Sequence, residues 1–215
     1  MHLSYSTFPK RLFDFCHSQL PQRPIWVGLA GCPGSGKTTI AQQLVGQRSE
    51  QVCVIPMDGY HLRRDVLDSM DDPKAAYARR GAPFTFDAQR FVADLITAKT
   101  TGHGSFPTFE HRIADPVEDA ITYDSDHTNL VFVEGNYLLL NSEPWSRLKT
   151  EVFDLTCWLD VPVMECCARV HQRNLDLGMS EQASLQKIKN NDRLNAELVC
   201  QNGSQSADWV ITSST

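Results

Sequence analysis

Nine consecutive residues, Gly31-Cys32-Pro33-Gly34-Ser35-Gly36-Lys37-Thr38-Thr39, place glycines, a lysine and a hydroxyl at the spacing G-x-x-x-x-G-K-[ST]. Such a stretch can hold a polyphosphate. Gly31, Gly34 and Gly36 allow positive φ, so backbone N–H groups can turn inward on an anion with no Cβ in the way. Lys37 would reach the β- and γ-phosphate oxygens, and the Thr38 hydroxyl would ligate Mg²⁺. The motif signals nucleoside triphosphate binding without separating kinase, GTPase and motor.

Two acids stand where the same chemistry would use them. Asp58 follows the apolar run Val52–Met57 and precedes Gly59. It is the candidate general base, accepting the proton of a substrate hydroxyl that attacks the γ-phosphorus. A helix N-cap or an outer-shell Mg²⁺ ligand would also suit an acid there. Glu134 follows the apolar run Leu130–Val133, the position of a metal-linked carboxylate downstream of a phosphate loop. Glutamate in place of aspartate sets that carboxylate one methylene further out, which favours a grip through water.

The candidate acceptor contacts are Tyr60, His61, Arg80, His111, Arg112 and Tyr137. Arg63-Arg64 and Arg79-Arg80 are also compatible with solvated helix faces, and the segment Ser105–Arg112 with a purely structural ribbon. Arg169 and Arg173 lie near the end of a helix that opens into the polar loop Asn174–Gly178. They are candidate lid arginines, neutralising charge on the transferring phosphoryl group; an ordinary solvated helix face is the alternative.

These residues need elements to position them. Ile25–Ala30 reads as a buried strand before the loop. Thr39–Val45 reads as a helix after it, with Ile40, Ala41, Leu44 and Val45 on one side. Further strands are expected at Val52–Met57, Leu130–Val133, Val152–Leu159 and Ala207–Thr212. Amphipathic helices are expected at Phe8–Leu20, after Asp87, after Pro162 and after Ser180. Thr100–Gly104 reads as a loop. Pro21–Pro24 ends the first helix and leads into the sheet. Five strands alternating with helices predict a parallel α/β sheet. In such a sheet ligands bind beyond the carboxyl ends of the strands, where the loop, Asp58 and Glu134 all fall.

Composition sets the outer bounds. The chain has 215 residues, 41% of them hydrophobic, enough for one well-cored domain. Its net charge of −6 and pI near 5.6 argue against a nucleic-acid partner. Seven cysteines without metal-ligand spacing, Cys166-Cys167 among them, fit a reduced, cytoplasmic protein. The first residues lack the layout of a secretory signal, and no apolar run approaches a membrane span.

Taken together, Gly31–Thr39, Met57-Asp58-Gly59-Tyr60-His61, Phe109-Glu110-His111 and Val133-Glu134-Gly135-Asn136-Tyr137 resemble a known set. It belongs to the P-loop kinases that include uridine kinase, phosphoribulokinase, pantothenate kinase and nicotinamide riboside kinase. Within that group the chain looks most like bacterial proteins labelled as fructose-transport-system kinases. The likeness runs from about Ile25 to Ile211. It implies a P-loop three-layer sandwich with a five-stranded parallel sheet, helices on both faces and a small lid. It also implies ATP as donor, Mg²⁺, and a small hydroxylated acceptor such as a sugar, nucleoside or pantothenate-like alcohol. The resemblance supports Asp58 as base, Glu134 as the metal-linked acid, and Arg169 and Arg173 as lid arginines.

The expected layout is thus one kinase domain over 1–215. It has an N-terminal helix and lead-in at 1–24, an acceptor-pocket insertion at 59–125 and a lid at 169–182. A homodimer is compatible with it. The competing reading is a nucleotide-binding regulatory NTPase with no small-molecule acceptor. Against it, an N-K-x-D guanine-reading element is absent after the fourth expected strand.

Overall fold

The computed structural model describes residues 1–19, 24–48, 51–110, 112–201 and 203–212. Leu20, the lead-in residues 21–23 and His111 therefore lie outside the described residues. The strands in chain order are β1 (His2–Ser4), β2 (Ile25–Gly31), β3 (Val52–Pro56), β4 (His103–Glu110), β5 (Asp115–Asp124), β6 (Leu130–Gly135), β7 (Leu155–Asp160) and β8 (Trp209–Thr212). The helices are α1 (Phe8–Gln19), α2 (Lys37–Arg48), α3 (Arg64–Asp68), α4 (Pro73–Ala78), α5 (Ala88–Thr101), α6 (Val163–Asp176), α7 (Glu181–Lys187), α8 (Arg193–Cys200) and α9 (Gly203–Ser206).

Among the described residues the main sheet runs β1-β8-β7-β2-β6-β3, with every pairing parallel. Six strands replace the five expected. The addition is β1, which sets Leu3 opposite Ile211 at one edge. Three residues are too few to show a period, so His2-Leu3-Ser4 carries no strand signal. The central strands β2 and β6 are buried at every position, as a parallel sheet flanked by helices requires. Their unbroken apolar sequences follow from that double burial. Each large side chain so enclosed contributes roughly 1.5–3 kcal/mol.

Helix α2 meets β2, β3 and β6 through Ile40, Ala41 and Leu44. Val45, expected on that face, is 36% exposed because it lies one residue, about 100°, beyond Leu44. Helix α5 begins at Asp87, whose carboxylate accepts from the Arg90 N–H at 3.1 Å. It runs two residues into the expected loop and stops where Gly102 turns left-handed at φ 83°. The next residue opens β4, which pairs with β5 as an antiparallel hairpin. The pairing slips between Phe106 and Thr108, at Pro107, which has no N–H to give a ladder. Ser180 caps α7 through Ala183, and a π-helical turn, Ile188–Asp192, carries the path into α8. Among the described residues no helix is long and apolar enough to cross a membrane.

Candidate active site

Strand order decides what can meet. β2, β6 and β3 are neighbours, and each delivers one group at its carboxyl end. β2 leads into the glycine-rich loop, β6 ends on Glu134, and β3 leads into a 3-10 turn, Met57–Tyr60, that carries Asp58. The register places Glu134 beside Leu29 on one side and Pro56 on the other. Glu134 thus stands between the loop and Asp58.

The loop's shape depends on its glycines. Gly34 and Gly36 adopt φ of 83° and 104°. A Cβ on Gly34 would lie 2.5 Å from the Cys166 carbonyl oxygen, so the loop packs onto α6 only with glycine there. Helix α2 begins at Lys37, which turns its positive end toward the loop. Among the described residues the buried Ser35 hydroxyl has no hydrogen-bond partner. Glycine cradle and helix end together fit a phosphate chain.

Lys37 is buried, and its Nζ donates to Gly31 O at 2.9 Å, Cys32 O at 3.0 Å and Asn136 Oδ1 at 2.9 Å. Burial lowers its pKa from the usual lysine value, and the nearby carboxylates of Glu134 and Asp58 work in the opposite direction. Thr38 Oγ1 donates to Glu134 Oε1 at 2.9 Å. Burial raises the Glu134 pKa, with the Lys37 charge opposing. A hydroxyl and a carboxylate so joined are the oxygen donors that suit Mg²⁺, which keeps several waters and takes phosphate oxygens as well.

One cleft of about 710 Å³ unites these groups, a size suited to small molecules. Of the expected site residues, Pro33, Gly34, Gly36, Lys37, Thr38, Thr39, Asp58, His61, Arg80, Glu134, Arg169 and Arg173 line it. Gly31, Cys32 and Ser35 are buried behind the loop's inner face. His61 is stacked between Phe86 and Phe109, with centroids 4.0 and 4.7 Å away, and its Nδ1 lies 2.8 Å from Asp58 O. The Arg80 guanidinium sits 5.4 Å from the Phe109 centroid and donates to Leu62 O and Asp115. Arg169 and Arg173, one helical turn apart, share a face of α6. Arg169 donates to Ser35 O at 3.1 Å and to Glu165. His171 turns away, to Ser184 Oγ at 2.8 Å.

Three expected acceptor contacts are not brought to this cleft. Tyr60 is 2% exposed, stacks edge-on to Phe91 and donates to Asp94 at 2.8 Å. Tyr137 is fully buried and donates to Gly81 O at 2.5 Å. Both rings belong to the core beneath the site, because burying an aromatic ring with its hydroxyl satisfied outweighs leaving it at the edge. Arg112 is exposed on the turn between β4 and β5, its N–H held by Glu110. Conversely, Phe86, Asn136, Lys187, Asp192 and Asn195 line the cleft without having been anticipated. Asn136 was legible in retrospect, two residues past Glu134. Asn191 and Asn195, buried at i and i+4, form a network with the 79–81 segment. Arg79 donates to both, and Asn191 donates to Arg80 O.

A glycine-rich loop of the phosphate-holding kind, with Glu134 and Asp58 at neighbouring strand ends, is the arrangement of a P-loop phosphotransferase. The comparisons agree, although no protein-family model matches the chain. It is 40% identical over 190 residues to "Putative uridine kinase C227.14" of Schizosaccharomyces pombe, covering 84% of this chain and 80% of that protein. It is 32% identical over 188 residues to "ATP-dependent kinase YFH7" of Kluyveromyces lactis, spanning 68% of this chain but only 52% of the relative. Among solved structures, a "putative fructose transport system kinase" from Silicibacter sp. TM1040 superposes with a TM-score of 0.82 at 29% identity, over 97% of this chain and 98% of the other. The chain belongs to the P-loop kinase superfamily that includes uridine kinase and phosphoribulokinase, and it is a phosphotransferase.

Proposed function

We propose that this kinase transfers the γ-phosphoryl group of ATP to a hydroxyl of a small metabolite, a sugar, nucleoside or pantothenate-like alcohol. One observation supports this most: Asp58 and the phosphate loop line the same cleft from two strands with Glu134 between them. In this reading the loop N–H groups and Lys37 hold the β- and γ-phosphates. Thr38 and Glu134 hold Mg²⁺, whose positive charge would stabilise the phosphate oxygens. Asp58 accepts the acceptor's proton and aligns its oxygen. Arg169 and Arg173, with Lys187 from α7, offset charge on the equatorial oxygens.

The acceptor would rest against His61, Phe86, Phe109 and Arg80, and His111 is a further candidate contact. The insertion 59–125 then serves as acceptor module and the segment 169–182 as lid, within one catalytic unit. ADP formation with and without a panel of hydroxylated metabolites tests the reading. Turnover stimulated by one class of alcohol supports it; equal slow hydrolysis with every compound would favour a regulatory NTPase.

A further inference from the structure

Three thiols meet behind the phosphate loop. Cys32 Sγ lies 3.1 Å from Cys200 Sγ and within hydrogen-bonding reach of the Cys166 thiol. Cys32 is wholly buried in the loop, and Cys166 is equally buried on α6. Cys200, the last residue of α8, is exposed. The phosphoryl transfer proposed above uses none of these sulfurs. A disulfide holds its sulfurs about 2.05 Å apart, so joining Cys32 to Cys200 requires an approach of about 1 Å.

We propose that Cys32 and Cys200 form a reversible disulfide on exposure to a hydroperoxide, and that this bond switches the kinase off. Cys200, the exposed member of the cluster, attacks the peroxide through its sulfur. The O–O bond breaks, Cys200 becomes a sulfenic acid, and with hydrogen peroxide one water leaves. The Cys32 sulfur then attacks the sulfenyl sulfur. The S–O bond breaks and a second water leaves with the Cys32 proton. The two thiols have together lost two electrons and two protons, and the peroxide has gained them. A Cys32–Cys166 bond has no such route, since neither sulfur is reached from solvent. Burial holds the Cys200 thiol above its ordinary pKa, so the reactive thiolate is scarce at neutral pH and peroxide must be in excess.

The consequence for activity follows from Lys37, whose ammonium donates to Cys32 O at 3.0 Å. Drawing Cys32 toward α8 displaces a carbonyl that positions that ammonium. This consequence rests on reading the loop as the nucleotide site; the bond itself does not.

The test treats the full chain with excess hydrogen peroxide, then combines non-reducing peptide mapping with ATP turnover. We expect a Cys32–Cys200 linked peptide, lighter by two hydrogens. Turnover should fall about 10²-fold, the scale of an ångström-level misplacement, and dithiothreitol should restore it. Cys200→Ser and Cys200→Ala should keep untreated turnover and resist peroxide. Failure to find the linked peptide in peroxide-inactivated protein, a Cys32–Cys166 link in its place, or equal sensitivity of both variants would overturn the proposal. So would linked protein that turns over normally. Absence of turnover before any treatment would instead count against the kinase reading, and the peptide map would still decide the bond.

Discussion

The Thr38 hydroxyl donates to Oε1 of Glu134 across 2.9 Å, joining the first turn of α2 to the end of β6. The two groups come from positions 96 apart in sequence, yet the pairing of β2 with β6 makes their meeting a matter of register. One hydrogen bond therefore links the first turn after the glycine-rich loop to the carboxylate proposed to hold the metal.

If that pair holds Mg²⁺, Glu134→Gln keeps the hydrogen bond from Thr38 and removes the negative charge. Metal affinity should fall about 10- to 100-fold, the usual range for an oriented outer carboxylate. Titrating activity against Mg²⁺ checks it, and an unchanged midpoint would remove Glu134 from the metal site.

Lys37→Ala withdraws the buried ammonium from Gly31 O, Cys32 O and Asn136. Turnover should drop about 10²- to 10³-fold, as when one preorganised charge-stabilising donor is lost. Near wild-type ADP formation would exclude the assigned role.

Lys37 also sets a pH dependence. Its folded-state pKa is depressed, so its charge is present below that lowered value and lost as pH rises through it. Phosphate binding needs the charged form. Nucleotide affinity should therefore weaken on the alkaline side before an ordinary lysine, at about 10.4, would titrate. Affinity that holds in a folded protein until an ordinary lysine titrates, by fluorescent nucleotide titration, would contradict the depressed value.

Much of this site was legible in the sequence because its signals are local. The residues of the phosphate loop are contiguous, and Asp58 and Glu134 each follow an apolar run that double burial in a parallel sheet makes continuous. Legibility ended where the answer depended on which way one side chain turns. Tyr60 and Tyr137 stand close in sequence to Asp58 and Glu134 but point into the core, toward Asp94 and Gly81. No period can choose between those directions. The Asn191–Asn195 network was hidden for another reason: its partners, Arg79 and Arg80, are more than 100 residues away and only the fold joins them. Strand β1 escaped because three residues at an edge are held by pairing with β8 and not by their own propensity.

The turn that presents Asp58 has no room to spare. A Cβ on Gly59 would lie 2.1 Å from the Pro107 carbonyl oxygen, and backbone cannot swing aside as a side-chain tip can. Gly59→Ala should cost about 1–3 kcal/mol and lower Tm by several degrees. Because the strain falls between the Asp58 turn and β4, the acceptor KM should rise while the ATP KM holds. Calorimetry with steady-state kinetics checks both; unchanged stability would mean the hairpin yields freely.

The central claim is that Asp58 aligns an alcohol at a triphosphate held by the loop. Its most direct test is Asp58→Asn, measured for acceptor-stimulated ADP formation and, in parallel, for ATP affinity. A positioned general base accounts for about 10²- to 10⁴-fold, so stimulated turnover should fall by that factor with ATP affinity intact. Collapse of ATP affinity with saturated turnover unchanged would place Asp58 in the nucleotide or metal site and contradict the account.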